Sequence, residues 1–411
     1  MTSSEGDGCR ESFDNNAVEA NGIFIEVTNP SPRFYPTLVF PIPKNLLGSH
    51  TSIQVTLRII NNTSTSFRVN PSQTFIPEVW TSDNQTRQRL RDIDCLAAST
   101  HPNRPFDREA TSGLAGLRPN LAPAIEHNET RNFDWWEIKP ELPRIIFLTA
   151  LLYWDNNLLV LKVPTIPDNS RSSIDHNNCW YFEVIPEETY QLRFVLNTDC
   201  NTTPVSESDT KAARTAQETG SGLLASPFVN LRLVMPLSTD SSAIEVDGIQ
   251  FKTEMPESVL IIPPNLPGAR TAVKLGIRAT NNTSTAFRFQ QLDSLDLTLI
   301  GDDGKEIKWR SDLMRTWVGK GPNYYLAPPR DSALFVLDGR LSWHWNQLLL
   351  AIPNQAGGFY YFYDLKPGTY HLGLRYHIGA PRATNIKEQV LEKVWTGWIA
   401  MPFVDLHLVN L

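Results

Sequence analysis

The sequence predicts an all-β protein made of two tandem copies of one sandwich-like domain. Three observations predict it. An ordered series of segments recurs once along the chain. The apolar residues of those segments alternate with a period of two. Turn-forming residues separate the segments at short intervals.

The repeat comes first because it sets the domain plan. Residues 61–68 read NNTSTSFR and residues 281–288 read NNTSTAFR, an offset of 220. The match runs backwards in register, with Asn45, Leu46 and Gly48 answering Asn265, Leu266 and Gly268, and Thr51 and Arg58 answering Thr271 and Arg278. NGI at 21–23 resembles DGI at 247–249, and Trp154 precedes an Asn and a Leu pair as Trp345 does. YFEVIPEETYQL from Tyr181 matches YFYDLKPGTYHL from Tyr361 at offset 180, and PFVNLRLV from Pro227 matches PFVDLHLV from Pro402 at offset 175. The order is the same in both series, so one domain has been copied once.

The falling offset locates about 40 extra residues in the first copy, which loop insertion tolerates because closure entropy grows slowly with length. Most fall within 82–140. The expected plan is a disordered tail at 1–20, a first repeat at 21–237 with its insertion at about 82–140, a linker at 238–246, and a second repeat at 247–411. A polar loop, Asp199 to Gly222, faces a counterpart, Gly379 to Val394, whose IKEQVLEKV predicts a short helical turn.

The strands follow from alternation. Val273, Leu275, Ile277 and Ala279 fall on one face, with Lys274, Gly276, Arg278 and Thr280 on the other. Tyr370, Leu372, Leu374 and Tyr376 oppose His371, Gly373, Arg375 and His377, and Val404, Leu406 and Leu408 oppose Phe403, Asp405 and His407. Turns are expected at Asp302-Asp303-Gly304-Lys305 and at Lys366-Pro367-Gly368. Asn61-Asn62 and Asn281-Asn282 are expected to end equivalent strands in the same turn, because Asn caps turns through its side chain. Short strands with regular turns predict a β-sandwich of seven to nine strands per copy.

Composition narrows the function. The formal charge of −7, with no run of Lys/Arg, disfavours nucleic acid as a partner. No apolar stretch of membrane-spanning length occurs, and the first residues carry neither an apolar core nor a basic start, so no membrane association and a cytoplasmic location are expected. The four cysteines, Cys9, Cys95, Cys179 and Cys200, have no metal-binding spacing. Cys179 and Cys200 flank a hairpin and either face each other or stay reduced.

The second copy resembles a known family. RATNNTSTAFRFQQLDSLDLTLIGDDGKEIKW from Arg278 resembles the core of intracellular proteinase-inhibitor domains of the BsuPI type, through Asn281, Asn282, Gly304, Lys305 and Trp309. LKPGTYHLGLRY, with Pro367, Gly368 and Tyr370, resembles that family's late P-G-T-Y strand. The likeness spans roughly 100 residues and is weaker in the first copy, which lacks GKEIKW. It implies two immunoglobulin-like sandwiches. It supports fold more than inhibition, and no reactive-site residue carries over.

No G-x-S-x-G, H-E-x-x-H or phosphate loop occurs, so no enzyme, cofactor or metal is expected. His371 and His377 lie about 20 Å apart on a strand, too far to share a metal. If the last two strands pair, Arg375, His377, Asp405 and His407 share an outer face, either as a partner-binding patch or as an ordinary solvated surface. Arg193, Asn230 and Arg232 stand at comparable places in the first copy. Trp343 and Trp345 are expected to point one way, and Phe359, Tyr361 and Tyr363 another, either as core or as stacking surface. Trp135 and Trp136 lie in the insertion and face opposite ways if extended, which exposes one of them as a further candidate for partner binding. The expectation is a non-enzymatic binding or scaffold protein with a protein partner and a groove between its two copies. The alternatives are a proteinase inhibitor and a glycan-binding module.

Overall fold

The computed structural model describes residues 17–20, 22–31, 34–46, 49–64, 66–69, 75–81, 89–90, 136–164, 179–197, 223–290, 295–311, 324–354, 358–379 and 393–410. The described residues form twenty-eight strands and no α-helix, so none holds a helix able to cross a membrane. The first half supplies β1 (Ala17–Ala20), β2 (Ile23–Asn29), β3 (Leu38–Pro41), β4 (His50–Asn61), β5 (Phe67–Val69), β6 (Phe75–Thr81) and β7 (Arg89–Leu90). It continues with β8 (Trp136–Ile138), β9 (Arg144–Asp155), β10 (Leu158–Pro164), β11 (Cys179–Val184), β12 (Thr189–Asn197), β13 (Leu223–Ala225) and β14 (Val229–Val234). The second half supplies β15 (Ala243–Val246), β16 (Ile249–Glu254), β17 (Val259–Ile261), β18 (Arg270–Asn281), β19 (Phe287–Gln290), β20 (Leu295–Gly301) and β21 (Trp309–Ser311). It ends with β22 (Tyr324–Ala327), β23 (Ser332–His344), β24 (Gln347–Pro353), β25 (Phe359–Leu365), β26 (Gly368–Ile378), β27 (Gly397–Ala400) and β28 (Val404–Val409).

The sheets follow one rule of correspondence. A seven-stranded sheet runs β1-β2-β4-β9-β10-β11-β7, and another runs β15-β16-β18-β23-β24-β25-β21. Adding fourteen to each label of the first gives the second. The same shift relates the small pairs β5-β8 and β19-β22. The third large sheet, of ten strands, crosses both halves. Its path is β13-β12-β14-β3-β27-β26-β28-β17, with β6 on β12 and β20 on β26. Here too the first four strands map onto the last four.

Alternation builds the layers. Along β4 every second side chain is buried, with Ile53, Val55, Leu57 and Ile59 facing inward. In β18, Val273, Leu275, Ile277 and Ala279 do the same. Local turn chemistry is shared by the halves. Asn156-Asn157 joins β9 to β10 and Trp345-Asn346 joins β23 to β24, all four with positive φ between 48° and 67°. Such a two-residue turn matches the twist of the strands it joins. Asn61 and Asn281 end β4 and β18 and are fully buried. Each side-chain oxygen accepts from the backbone N–H and hydroxyl two residues on, at 3.0 and 2.6 Å from Thr63 and 3.0 and 2.7 Å from Thr283. Each amide also donates to a distant segment, Asn61 to the Ile138 carbonyl and Asn281 to that of Ala327, and Asn281 donates within its own turn to the Thr285 carbonyl. Two tyrosines anchor the corner before the penultimate long strand. Tyr190 Oη accepts from Ile185 N at 2.6 Å and Tyr370 Oη accepts from Lys366 N at 2.8 Å.

Several expectations need correction. Trp154 corresponds to Trp343, not to Trp345. Trp154 donates to the Pro43 carbonyl at 2.8 Å and Trp343 to that of Pro263 at 2.7 Å. Trp345 occupies the hairpin turn, where Asn156 stands in the first half, and is 86% exposed. It therefore does not share a strand face with Trp343. Residues 243–246, read as linker, form β15, the edge strand of the second seven-stranded sheet. Residues 17–20, read as tail, form β1. Each half holds more strands than nine, because both contain several strands of only two to four residues, too short to be read as alternating runs. Of the helical turn expected in IKEQVLEKV, residues 386–392 lie outside the described residues, as do Cys9, Cys95 and Cys200, while Val394 at its end forms a β-bridge with Arg288 and is not helical. Cys179 is buried.

The seam between the halves is a strand pair. β3 and β27 run parallel, with Leu38 opposite Trp398 and Val39 opposite Ile399. Leu38, Phe40 and Ile42 pack with Trp398 and Ala400 in the first core. Val39, Ile399 and Met401 belong to the second core. Because successive side chains point to opposite faces, the two cores lie against opposite faces of one continuous sheet.

Candidate functional site

The seam leaves a cleft of about 250 Å³ lined from both halves. Asn29, Pro30 and Gln54 come from the first half, and Asp296, Glu306, Trp309, Tyr360, Arg375 and Trp398 from the second. The floor is the outer face of β20 and β26. On β26, Leu372, Leu374 and Tyr376 go into the core, which turns Arg375 and His377 outward. Asp296 is the outward residue of β20 opposite Arg375 in register.

A polar network ties these groups together. Arg375 donates to Gln54 Oε1 at 2.9 Å and to Thr298 Oγ1 at 3.2 Å. His377 Nε2 lies 3.3 Å from Asp296 Oδ2, and its Nδ1 lies 3.0 Å from Tyr35 Oη. Tyr360 donates to Asp296 Oδ1 at 3.4 Å, and Gln54 Nε2 to Glu306 at 3.4 Å. Burial pushes the Asp296 carboxyl up, but it is outweighed. Hydrogen bonds from His377 and Tyr360 and the charges of His377 and Arg375 hold it below the usual carboxylate range. Burial, and then the charge on Asp296, push the Tyr35 phenol up.

The four residues expected to share one patch fall into two groups. Arg375 lines the cleft, and His377 stands behind it against Asp296 and Tyr35. Asp405 and His407 sit further along β26, where Asp405 pairs with His371 at 2.9 Å and His407 meets Thr369 at 3.1 Å. The cause is a change of neighbour. β28 pairs with β26 only from Gly368 to Leu372, and β27 takes over from Arg375 to Ile378. Phe403 covers Gly373 between them. Trp135 lies outside the described residues, and Trp136 is placed in β8 opposite Val69.

Asp296, Gln54, Tyr35, Trp309 and Tyr360 were not singled out from the sequence as site residues. A carboxylate inside LDLTLI was the one signal for Asp296. Nothing local marks Gln54 or Tyr35, which meet the second half only through the seam. In the first half Val195 stands in the place of Arg375, and Arg193, the counterpart of Gly373, pairs with Glu78 at 2.7 Å and lies over the rings of Trp80 and Phe228. Arg232 donates to Asp247 of the second half at 2.8 Å.

The outer aromatic row is present and partly engaged. Phe359, Tyr361 and Tyr363 follow one another at 5.8 and 6.1 Å between ring centroids. The Arg340 guanidinium lies over Phe359 at 5.1 Å and that of Arg310 over Tyr363 at 5.4 Å. Among the described residues no group of three His, Cys, Asp or Glu side chains is arranged to hold a metal ion. In comparison with known proteins, no family model and no curated protein matches the chain.

Proposed function

We propose that the chain is a non-enzymatic binding protein made by tandem duplication of an immunoglobulin-like sandwich, with a protein partner engaged at the seam. The observation that carries this reading is the polar cleft lined by side chains from both halves, which only the whole chain assembles. Matched strand order and paired tyrosine corners support the duplication and its immunoglobulin-like character. With β1 and β15 included as matched edge strands, the repeats run from 17 to 237 and from 243 to 411. Trp309, with an exposed ring beside Arg375, Asp296 and Glu306, supplies the aromatic-and-charge combination common in binding hot spots. Arginines over two of the three outer rings weigh against glycan stacking, and inhibition rests on the resemblance alone.

The test is capture from lysate with full-length bait. Trp309→Ala and Arg375→Met, each checked for unchanged folding, are compared with Glu183→Ala on the far sheet. Loss of the same captured protein by both seam variants, with retention by the control, is the expected result. Equal capture by all three sinks the seam reading.

A further inference from the structure

The contact between the halves is heterologous: the edge of β3 receives the edge of β27. Each edge has a counterpart elsewhere in the ten-stranded sheet. β17 takes in the second half the place that β3 takes in the first. Both pair in parallel with the strand fourteen labels on from one another, β3 with β14 and β17 with β28. Both end with the same bonds. Ile42 N donates to the Val234 carbonyl and Ile262 N to that of Val409, each at 2.8 Å. Thr51 donates to the Pro41 carbonyl and Thr271 to that of Ile261. β13 takes in the first half the place of β27, pairing with β12 as β27 pairs with β26.

The counterparts differ in one respect. Val39 of β3 is covered by the second core and is 5% exposed. Its equivalent, Val259, is 54% exposed, and Ile261 beside it is 42% exposed. Among the described residues no strand pairs with the second edge of β17 or of β13. The sheet thus ends at one side in an uncovered acceptor edge and at the other in a donor edge, of the kinds already joined at the seam.

We infer that the chain self-associates head to tail, β17 of one copy pairing in parallel with β13 of the next. The second copy continues the ten-stranded sheet and covers Val259 and Ile261 as the second half covers Val39. A heterologous contact of this type does not close on two copies, so the assembly grows beyond a dimer.

The experiment is sedimentation of the full chain over a range of concentrations, with Val259→Lys to block the acceptor edge and Leu223→Lys to block the donor edge. Wild type is expected to gain average mass past twofold. Each variant alone stays at monomer mass with an unchanged circular dichroism spectrum. An equimolar mixture of the two, with one good edge each, forms heterodimers and stops at twofold. A wild type that remains monomeric throughout overturns the inference. So does an association that Leu223→Lys leaves intact, which would mean that β17 pairs with β17. A mixture that fails to dimerise also overturns it.

Discussion

At the residue scale, the recurring Asn-x-Thr is a structural device and its reason is visible. Asn61 and Asn281 turn the chain with the side-chain oxygen and tie the end of a long strand to a neighbouring segment with the amide. Replacing Asn281 with Ala leaves the buried Ala327 carbonyl without its donor and is expected to cost ~1–3 kcal/mol, read from urea unfolding. The same turn explains Gly248, whose φ of +77° an L residue tolerates poorly and whose Cβ would meet Thr283 Cγ2 at 2.8 Å. Gly268 has a similar φ of +81° with nothing within 4 Å. Gly268→Ala is therefore expected to cost only the backbone part, ~1–2 kcal/mol. Gly248→Ala should lower the unfolding midpoint further, and the difference measures the clash. Asp240, which clasps Lys252 at 2.8 Å, has its carboxyl lowered to about 2, first by the hydrogen bond from Lys252 and then by that from Ser242. Because the folded value lies below the unfolded one, its stabilisation is present above about pH 4 and fades as pH falls toward 2. Asp240→Asn should cost ~0.5–1 kcal/mol at pH 7, a surface-pair magnitude. The difference from wild type should shrink as pH falls toward 2 and vanish only below it, as denaturant titrations across that range will show.

At the element scale, the sequence carried most of the strands and little of their partnership. Long runs such as β4, β18 and β26 were legible because half-buried strands alternate. The order of strands in the sheets was not, because alternation says which face is inside and nothing about which neighbour lies beside it. That gap split the expected patch at Phe403: Arg375 faces the cleft with His377 beside it against Asp296, while Asp405 and His407 belong to β28. The Trp154 match failed for a related reason. A hairpin turn with two positive-φ residues accepts Trp345 in one half and Asn156 in the other, so residue type misled where backbone position decides. The insertion at 82–140 was legible as extra length, but its ends belong to the fold. β7 pairs with β11, Ile138 of β8 lies in the first core, and Pro140 bridges to Asn61. Deleting 91–135 is expected to leave a folded protein. Deleting 82–140 should cost ~2–5 kcal/mol or prevent folding, by loss of a buried Ile. Circular dichroism and thermal melts of the two deletions decide between these outcomes.

At the scale of the whole molecule, the seam makes the halves depend on each other. Trp398 belongs by sequence to the second half and by packing to the first core, with its ring 4.9 Å from Phe40. Trp398→Ala is expected to destabilise by ~3–5 kcal/mol. The loss should appear as a single unfolding transition when followed by fluorescence and by backbone dichroism. Two separated transitions, with the second half unaffected, would show that the halves unfold independently. The groove expected between the copies rested on a short linker alone. Its chemistry was not legible, since Gln54 and Tyr35 reach Arg375 and His377 across more than three hundred residues of chain.

That reach has a consequence for the order of events during synthesis. Domains made early on the ribosome generally fold before later ones emerge. Here the first core includes Trp398 and Ala400, which leave the ribosome about 360 residues after Leu38. Until they arrive, the edge of β3 and the apolar faces of Leu38 and Phe40 wait uncovered. The half that is born first is thus the half that is completed last, and nascent chains stalled before residue 397 are expected to bind chaperones that full-length chains release.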